Sequence, residues 1–160
     1  MTTWTPPGAQ ARAAIIERSG SVAVVGASSN PARASNFVIT YLLSSSADFD
    51  VYLVNPRETE ILGQRVYASL QEVPVVPDIV DVFRRPQDLP DVAREAIDIG
   101  AGAFWAQLGL HSDAAAELAH SAGLDVVMNR CLKIEHARFH GGLHLAGFDT
   151  GVISSRRLAG

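Results

Sequence analysis

From residue 21 to residue 128 the chain alternates short, apolar, β-rich runs with segments of helical periodicity, and this rhythm restricts the fold more than any other feature. The apolar runs fall at 22–25, 51–54, 79–83, 103–106 and 125–128. They are nearly continuous in their hydrophobicity, so each needs apolar cover on both faces, as strands do in a parallel sheet wrapped by helices. Asn30 or Pro31 can open the first crossover helix, whose Phe37, Tyr41 and Leu42 share one stripe and which stops at Ser44, Ser45 and Ser46. Residues 88–99 form a second helical segment closed by Gly100, and Ser112 or Asp113 caps an alanine-rich third that ends at Gly123. A short helix is expected at 11–18. Residues 58–77 are the least regular stretch and are expected to cross the surface with one short helix, while 132–160 mixes charges with glycines. The expectation is an α/β fold: a doubly wound, mainly parallel five-stranded sheet with helices on both faces, in a single domain over 1–160 with its core at about 20–140.

A chain of 160 residues, 48% apolar and 19% charged, has the size and composition of one compact domain. Its net charge of −4 supplies no global basic field, so nucleic acid and anionic membrane surfaces are not expected partners. A single cysteine, Cys131, excludes an internal disulfide framework, and the first residues, MTTWTPPGAQAR, lack the apolar centre of a signal peptide. No apolar stretch approaches the roughly 18 residues of a membrane span. A cytoplasmic location is expected.

The first strand runs into VVGASSNPARAS. Gly26 permits a tight turn, but a dinucleotide fingerprint would place glycines where Ser28 and Pro31 stand. In an open parallel sheet, ligands bind at the carboxyl ends of the strands, where the following helix offers N–H groups and partial positive charge to phosphate. Gly26, Ala27, Ser28, Ser29 and Asn30 are therefore candidates for binding a phosphorylated ligand, with the serine hydroxyls adding donors. An ordinary strand-to-helix turn is the competing reading.

The second strand ends in Asn55, Pro56 and Arg57, where a NAD site would place an acidic residue for the ribose hydroxyls. Glu58 and Glu60 lie too far beyond the strand for that role. An arginine favours a ribose that carries its own phosphate, because guanidinium is a fixed-charge, bidentate phosphate ligand. Two common ligands meet that description, NADP and coenzyme A, and spacing does not choose between them. The third strand ends in Phe83, Arg84 and Arg85, an aromatic face for adenine beside further cations. The fourth opens into Gln107, Leu108 and Gly109, with Gln107 able to hydrogen-bond a ligand amide.

Taken in order, VVGASSNPARAS, YLVNPRETEILG, YASLQEVP, DIVDVFRRP, WAQLGLHSDAA and AGLDVVMNRCLKIEH resemble the stand-alone CoA-binding proteins across about residues 20 to 140. Their Rossmann-like domain is similar to the CoA-binding domain of the succinyl-CoA synthetase alpha subunit. The resemblance implies that coenzyme A or an acyl-CoA lies along the strand ends, with the loop from Gly26 to Asn30 near its phosphates and ribose and Arg33 beside them. It also implies that Asn55, Pro56 and Arg57 line the adenosine and its phosphate, that Phe83 and Arg84 border the nucleotide, and that Gln107 to Gly109 approach the pantetheine. The synthetase carries its phosphorylated histidine in a second domain, and none of the five histidines here stands in a matching motif. The expectation is a regulatory, carrier or sensing protein without ligase activity of its own. The alternatives are an NADP-dependent reductase, or a subunit whose partner polypeptide supplies catalysis; homo-oligomerisation is equally compatible.

His136, His140 and His144 recur every four residues, the spacing of metal ligands on a helix, but Gly141 and Gly142 interrupt that helix and no metal is expected. Cys131, after Asn129 and Arg130, could form a mixed disulfide with a ligand thiol; the simpler reading is a small buried residue. Asp78 and Asp81 are assigned to strand-edge solvation and register rather than to acid–base work. No catalytic constellation is found, and no nucleophile elbow is present.

Overall fold

The computed structural model describes residues 3–44 and 47–140. Seven strands form one sheet in the spatial order β3-β4-β2-β1-β5-β6-β7. The five longer-range pairings are parallel: β1 (Ser21–Val25) lies between β2 (Asp50–Val54) and β5 (Ile79–Val82), β6 (Ala103–Ala106) follows β5, β7 (Asp125–Val127) follows β6, and β4 (Gln64–Tyr67) lies beside β2. Helices α1 (Ala9–Glu17), α2 (Ala34–Leu42), α3 (Leu89–Asp98), α4 (Asp113–Ser121) and α5 (Leu132–His140) cover it. All five expected strands are present, and the doubly wound α/β class is the one observed.

The strand count is larger than expected because β3 (Glu60–Ile61) and β4 form an antiparallel hairpin inside the stretch read as irregular. Leu62 and Gly63 turn the chain at φ +52° and +78°, and a 3₁₀ turn at Leu70–Glu72 supplies the one short helix. Helix α2 begins later than expected, at Ala34, because Asn30 Oδ1 accepts the Ala32 N–H at 2.9 Å and holds an Asx turn in place of the first helical turn. Ser112 is the N-cap of α4 and accepts the Ala115 N–H at 3.1 Å.

Two apolar layers sandwich the sheet. Phe104, Val80 and Val82 face Leu89, Val92, Ala93, Ala96, Ala115 and Ala119 of α3 and α4. On the other face, Val22, Val24, Ile79 and Trp105 meet Ile15, Ile16, Val38, Ile39, Leu132 and Phe139 of α1, α2 and α5. Helix α5 was not expected, and its inward face is polar in part. Glu135 is buried and accepts from Arg12 Nε of α1 at 2.6 Å, while His136 Nδ1 and the Tyr41 hydroxyl of α2 lie 2.5 Å apart.

The two strand-edge aspartates part company. Asp78 is exposed, and its Oδ2 accepts the Gly20 N–H at 2.8 Å and the Ser21 N–H at 3.2 Å, which ties the starts of β1 and β5 together and agrees with a register role. Asp81 is not a solvated edge residue. It is fully buried in register with Val24 and Trp105, its carboxyl oxygens have no hydrogen-bond partner among the described residues, and burial pushes its pKa well above the usual carboxylate range. Alternation along β5 puts Asp81 on the same face as Ile79, beneath the α1, α2 and α5 layer, where solvent cannot reach it. Among the described residues no helix is long and apolar enough to cross a membrane.

Candidate functional site

The carboxyl ends of β2, β1, β5 and β6 stand side by side, and the hydrogen-bond ladder continues one step past them. Gly26 N–H donates to the Val54 carbonyl at 3.0 Å, Phe83 N–H to the Val25 carbonyl at 2.8 Å, and Gln107 N–H to the Val82 carbonyl at 3.2 Å. Four successive strand exits are thereby fixed in register. Gly26 adopts φ +89°, and a β-carbon there would lie 2.3 Å from the Phe83 carbonyl oxygen, so only glycine lets β1 and β5 stay this close at the rim.

β1 is the point at which the chain, having added β2 and the hairpin on one side, returns to add β5 on the other. Such a switch point opens a crevice above the sheet. Here it is a groove with two lobes meeting over Gly26, Asn55, Phe83 and Arg84. One lobe, of about 650 Å³, is walled by Pro56, Arg57, Ser69, Asp88 and Glu95; the other, of about 510 Å³, by Ser28, Arg33, Gln107 and Leu108.

Nine of the expected site residues line this groove: Gly26, Ser28, Arg33, Asn55, Pro56, Arg57, Phe83, Arg84 and Gln107. Ala27, Ser29, Asn30 and Gly109 line neither lobe. Ala27 is buried, and its carbonyl accepts from Asn55 Nδ2 at 2.7 Å, so its part is to anchor the β2 end to the loop. Asn55 Oδ1 also accepts the Arg57 N–H at 2.8 Å, which fixes the turn that carries the guanidinium. Gly109 turns at φ +88° and donates its N–H to Asn129 Oδ1 at 2.6 Å, outside the groove. Gln107 is buried, with Oε1 facing the Leu132 N–H at 3.4 Å.

The four arginines of the rim differ in electrostatic state. Arg84 and Arg85 both face Asp88, at 3.4 and 3.3 Å. Arg33 and Arg57 have no ion-pair partner among the described residues, and they stand in opposite lobes. Glu95, whose place in the groove the sequence reading missed, has its pKa raised by burial and by Asp91 and Asp98, against the lowering effect of Arg84. Its position on α3 could have been suspected only by placing α3 over the β5 exit.

Cys131, the residue before α5, is buried among apolar residues, as the simpler reading expected. Of the three periodic histidines, His136 is buried against Tyr41 and Phe49, whereas His144 and the side chain of His140 lie outside the described residues. No group of three or more possible metal ligands is gathered among the described residues.

An open, mainly parallel sheet with a tight glycine turn at its switch point and a cationic groove above it is a Rossmann-like domain, a class of fold that takes its ligands at the strand ends. The chain belongs to the CoA binding domain family, whose pattern it matches over residues 20–137. It is 40% identical over 123 residues to the Bacillus subtilis (strain 168) uncharacterized protein YneT, an overlap of 77% of this chain and 90% of that one. A solved hypothetical protein from Pyrococcus horikoshii OT3 is 35% identical and superposes with a TM-score of 0.78 over 86% of this chain and 98% of its own. The fold alone is shared with a dinucleotide forming acetyl-coenzyme A synthetase 1 from Ca. Korarchaeum cryptofilum, at 24% identity and a TM-score of 0.60 over 67% of this chain and 25% of that one.

Proposed function

We propose that the groove binds coenzyme A or an acyl-CoA, and that the protein acts as a carrier, sensor or regulator rather than as a ligase. The observation that carries this reading is the pair of arginines without ion-pair partners among the described residues, Arg57 and Arg33, on either side of the Gly26–Phe83 rim. A ligand with separated phosphate groups and an aromatic base satisfies both cations while laying the base beside Phe83. In this reading the ribose phosphate meets Arg57 in the first lobe, the diphosphate crosses Gly26 toward Arg33, and the pantetheine leaves along Gln107 and Leu108. Membership of the CoA binding domain family supports coenzyme A over NADP as the ligand. In the binding-only reading the charged groups of the groove serve the ligand and one another, as Asp88 does in facing Arg84 and Arg85.

Isothermal titration with CoA, dephospho-CoA, NADP and NAD tests the assignment. CoA is expected to bind best, and loss of the ribose phosphate or Arg57→Ala should each weaken binding about tenfold or more, in line with the ~1.5–3 kcal/mol of a hydrogen bond to a charged group. The two losses should not add, because each removes the same contact. Binding of NADP alone would replace this reading with the reductase, and an absence of binding by all four would favour a module completed by a partner chain.

A further inference from the structure

The loop offered by the sequence as a phosphate cradle already holds an anion of the chain's own. Glu58 Oε2 accepts the Ser29 backbone N–H at 2.8 Å and the Ser29 hydroxyl at 3.0 Å. Five neighbouring amides are engaged as well. Asn30 N–H donates to Ser28 Oγ at 3.0 Å, Ala32 N–H to Asn30 Oδ1 at 2.9 Å and Arg33 N–H to the Asn30 carbonyl at 3.0 Å, while Gly26 and Ala27 both donate to the Val54 carbonyl. Those acceptors are neutral parts of the turn and of the sheet. Glu58 alone brings a full charge, and it comes from the turn after β2 on a side chain with three rotatable bonds.

A carboxylate oxygen and a phosphate oxygen ask for the same donors, an N–H and a hydroxyl aimed at one point. Resting on the reading of the groove given above, we propose that Glu58 is a specificity-determining residue, a resident stand-in that a ligand phosphate must expel before it can use Ser29. Expulsion costs two charge-assisted hydrogen bonds, and until it occurs the carboxylate repels any anion approaching the loop. Ligands whose anionic groups end at Arg57 or Arg33 escape this penalty; ligands that must place a phosphate on Ser29 do not. The loop beside the groove therefore ranks phosphorylated ligands by where their charges fall as well as by how many they carry.

The test uses inorganic pyrophosphate as the probe and the ¹⁵N–¹H resonance of the Ser29 amide as the readout, in the full-length protein and in Glu58→Ala and Glu58→Gln. Pyrophosphate should titrate the Ser29 amide of Glu58→Ala with a Kd about three- to tenfold lower than in the wild type, the scale of one exposed ionic contact plus the loss of a like charge. Glu58→Gln keeps an acceptor for Ser29 and so keeps the loop closed without the charge; its Kd should fall between the two. Equal or weaker pyrophosphate binding by both variants, or a Ser29 amide that responds in none of the three proteins, would overturn the proposal. CoA titrated into the same samples reads the groove separately. A wild type that ignores CoA removes the coenzyme reading, while the pyrophosphate comparison still decides the role of Glu58.

Discussion

Gly26 and Asp81 are two residues at which the fold departs from ordinary side-chain chemistry. At Gly26 a methyl group would meet the Phe83 carbonyl oxygen at 2.3 Å in a backbone conformation that L residues avoid, and the obstacle is main chain that cannot swing aside. Gly26→Ala should therefore lower stability by more than about 2 kcal/mol, readable as a lower urea midpoint, and should widen the gap between β1 and β5 at the rim. Asp81 makes a prediction of opposite sign. Its carboxyl has a folded-state pKa above the unfolded value, so the folded chain keeps a proton that the unfolded chain releases once pH passes about 4. Stability contributed at low pH is then lost as pH rises through the window between the unfolded and folded values. Urea melts at a series of pH values should show this decline in the wild type and a flatter profile in Asp81→Asn, which should be the more stable of the two at pH 8. A variant with the same slope as the wild type would assign the pH dependence elsewhere.

Among the elements, α1 and α5 are joined by a buried ion pair rather than by apolar contact alone. Arg12 Nε and Glu135 Oε1 are 2.6 Å apart, and Arg12 Nη1 also donates to the Pro7 carbonyl at 3.0 Å. Removing one partner leaves the other charge in a dry layer, so Glu135→Ala should destabilise the protein by about 3 kcal/mol or more, whereas Arg12→Met with Glu135→Leu should recover most of the loss. Thermal melts of the two variants would separate them. The same pair shows why α5 could not be read in advance. Leu132, Glu135, His136 and Phe139 do share a helical face, but two of the four are polar, and a Glu reads as solvated until Arg12 is placed across from it. The hairpin failed for another reason, since strands of two and four residues with exposed Glu60, Gln64 and Arg65 contain no apolar run to detect. The five long strands were legible because cover on both faces leaves an unbroken hydrophobic signature, and the groove residues at their exits followed from the sheet rule. Glu58 was not legible as a partner of Ser29, because the contact joins residues 29 apart in sequence and depends on how the β2 turn folds back over the loop.

For the whole molecule, the decisive arrangement is the order in which the chain lays down its sheet. Residues 21–67 build β1, β2 and the hairpin on one side, and only then does the chain return to place β5 against the other side of β1. Arg57 belongs to the first half and Arg84 to the second, and the groove floor is the contact of Gly26 with Phe83 across that seam. Neither half alone possesses the cleft. A ligand that fills it binds the finished fold and not the open chain, and at a hundred times its Kd it adds about 2.7 kcal/mol to stability. On the proposed function, the stability of the fold rises with the concentration of the small molecule, so a protease is expected to be slowed most where that molecule is plentiful.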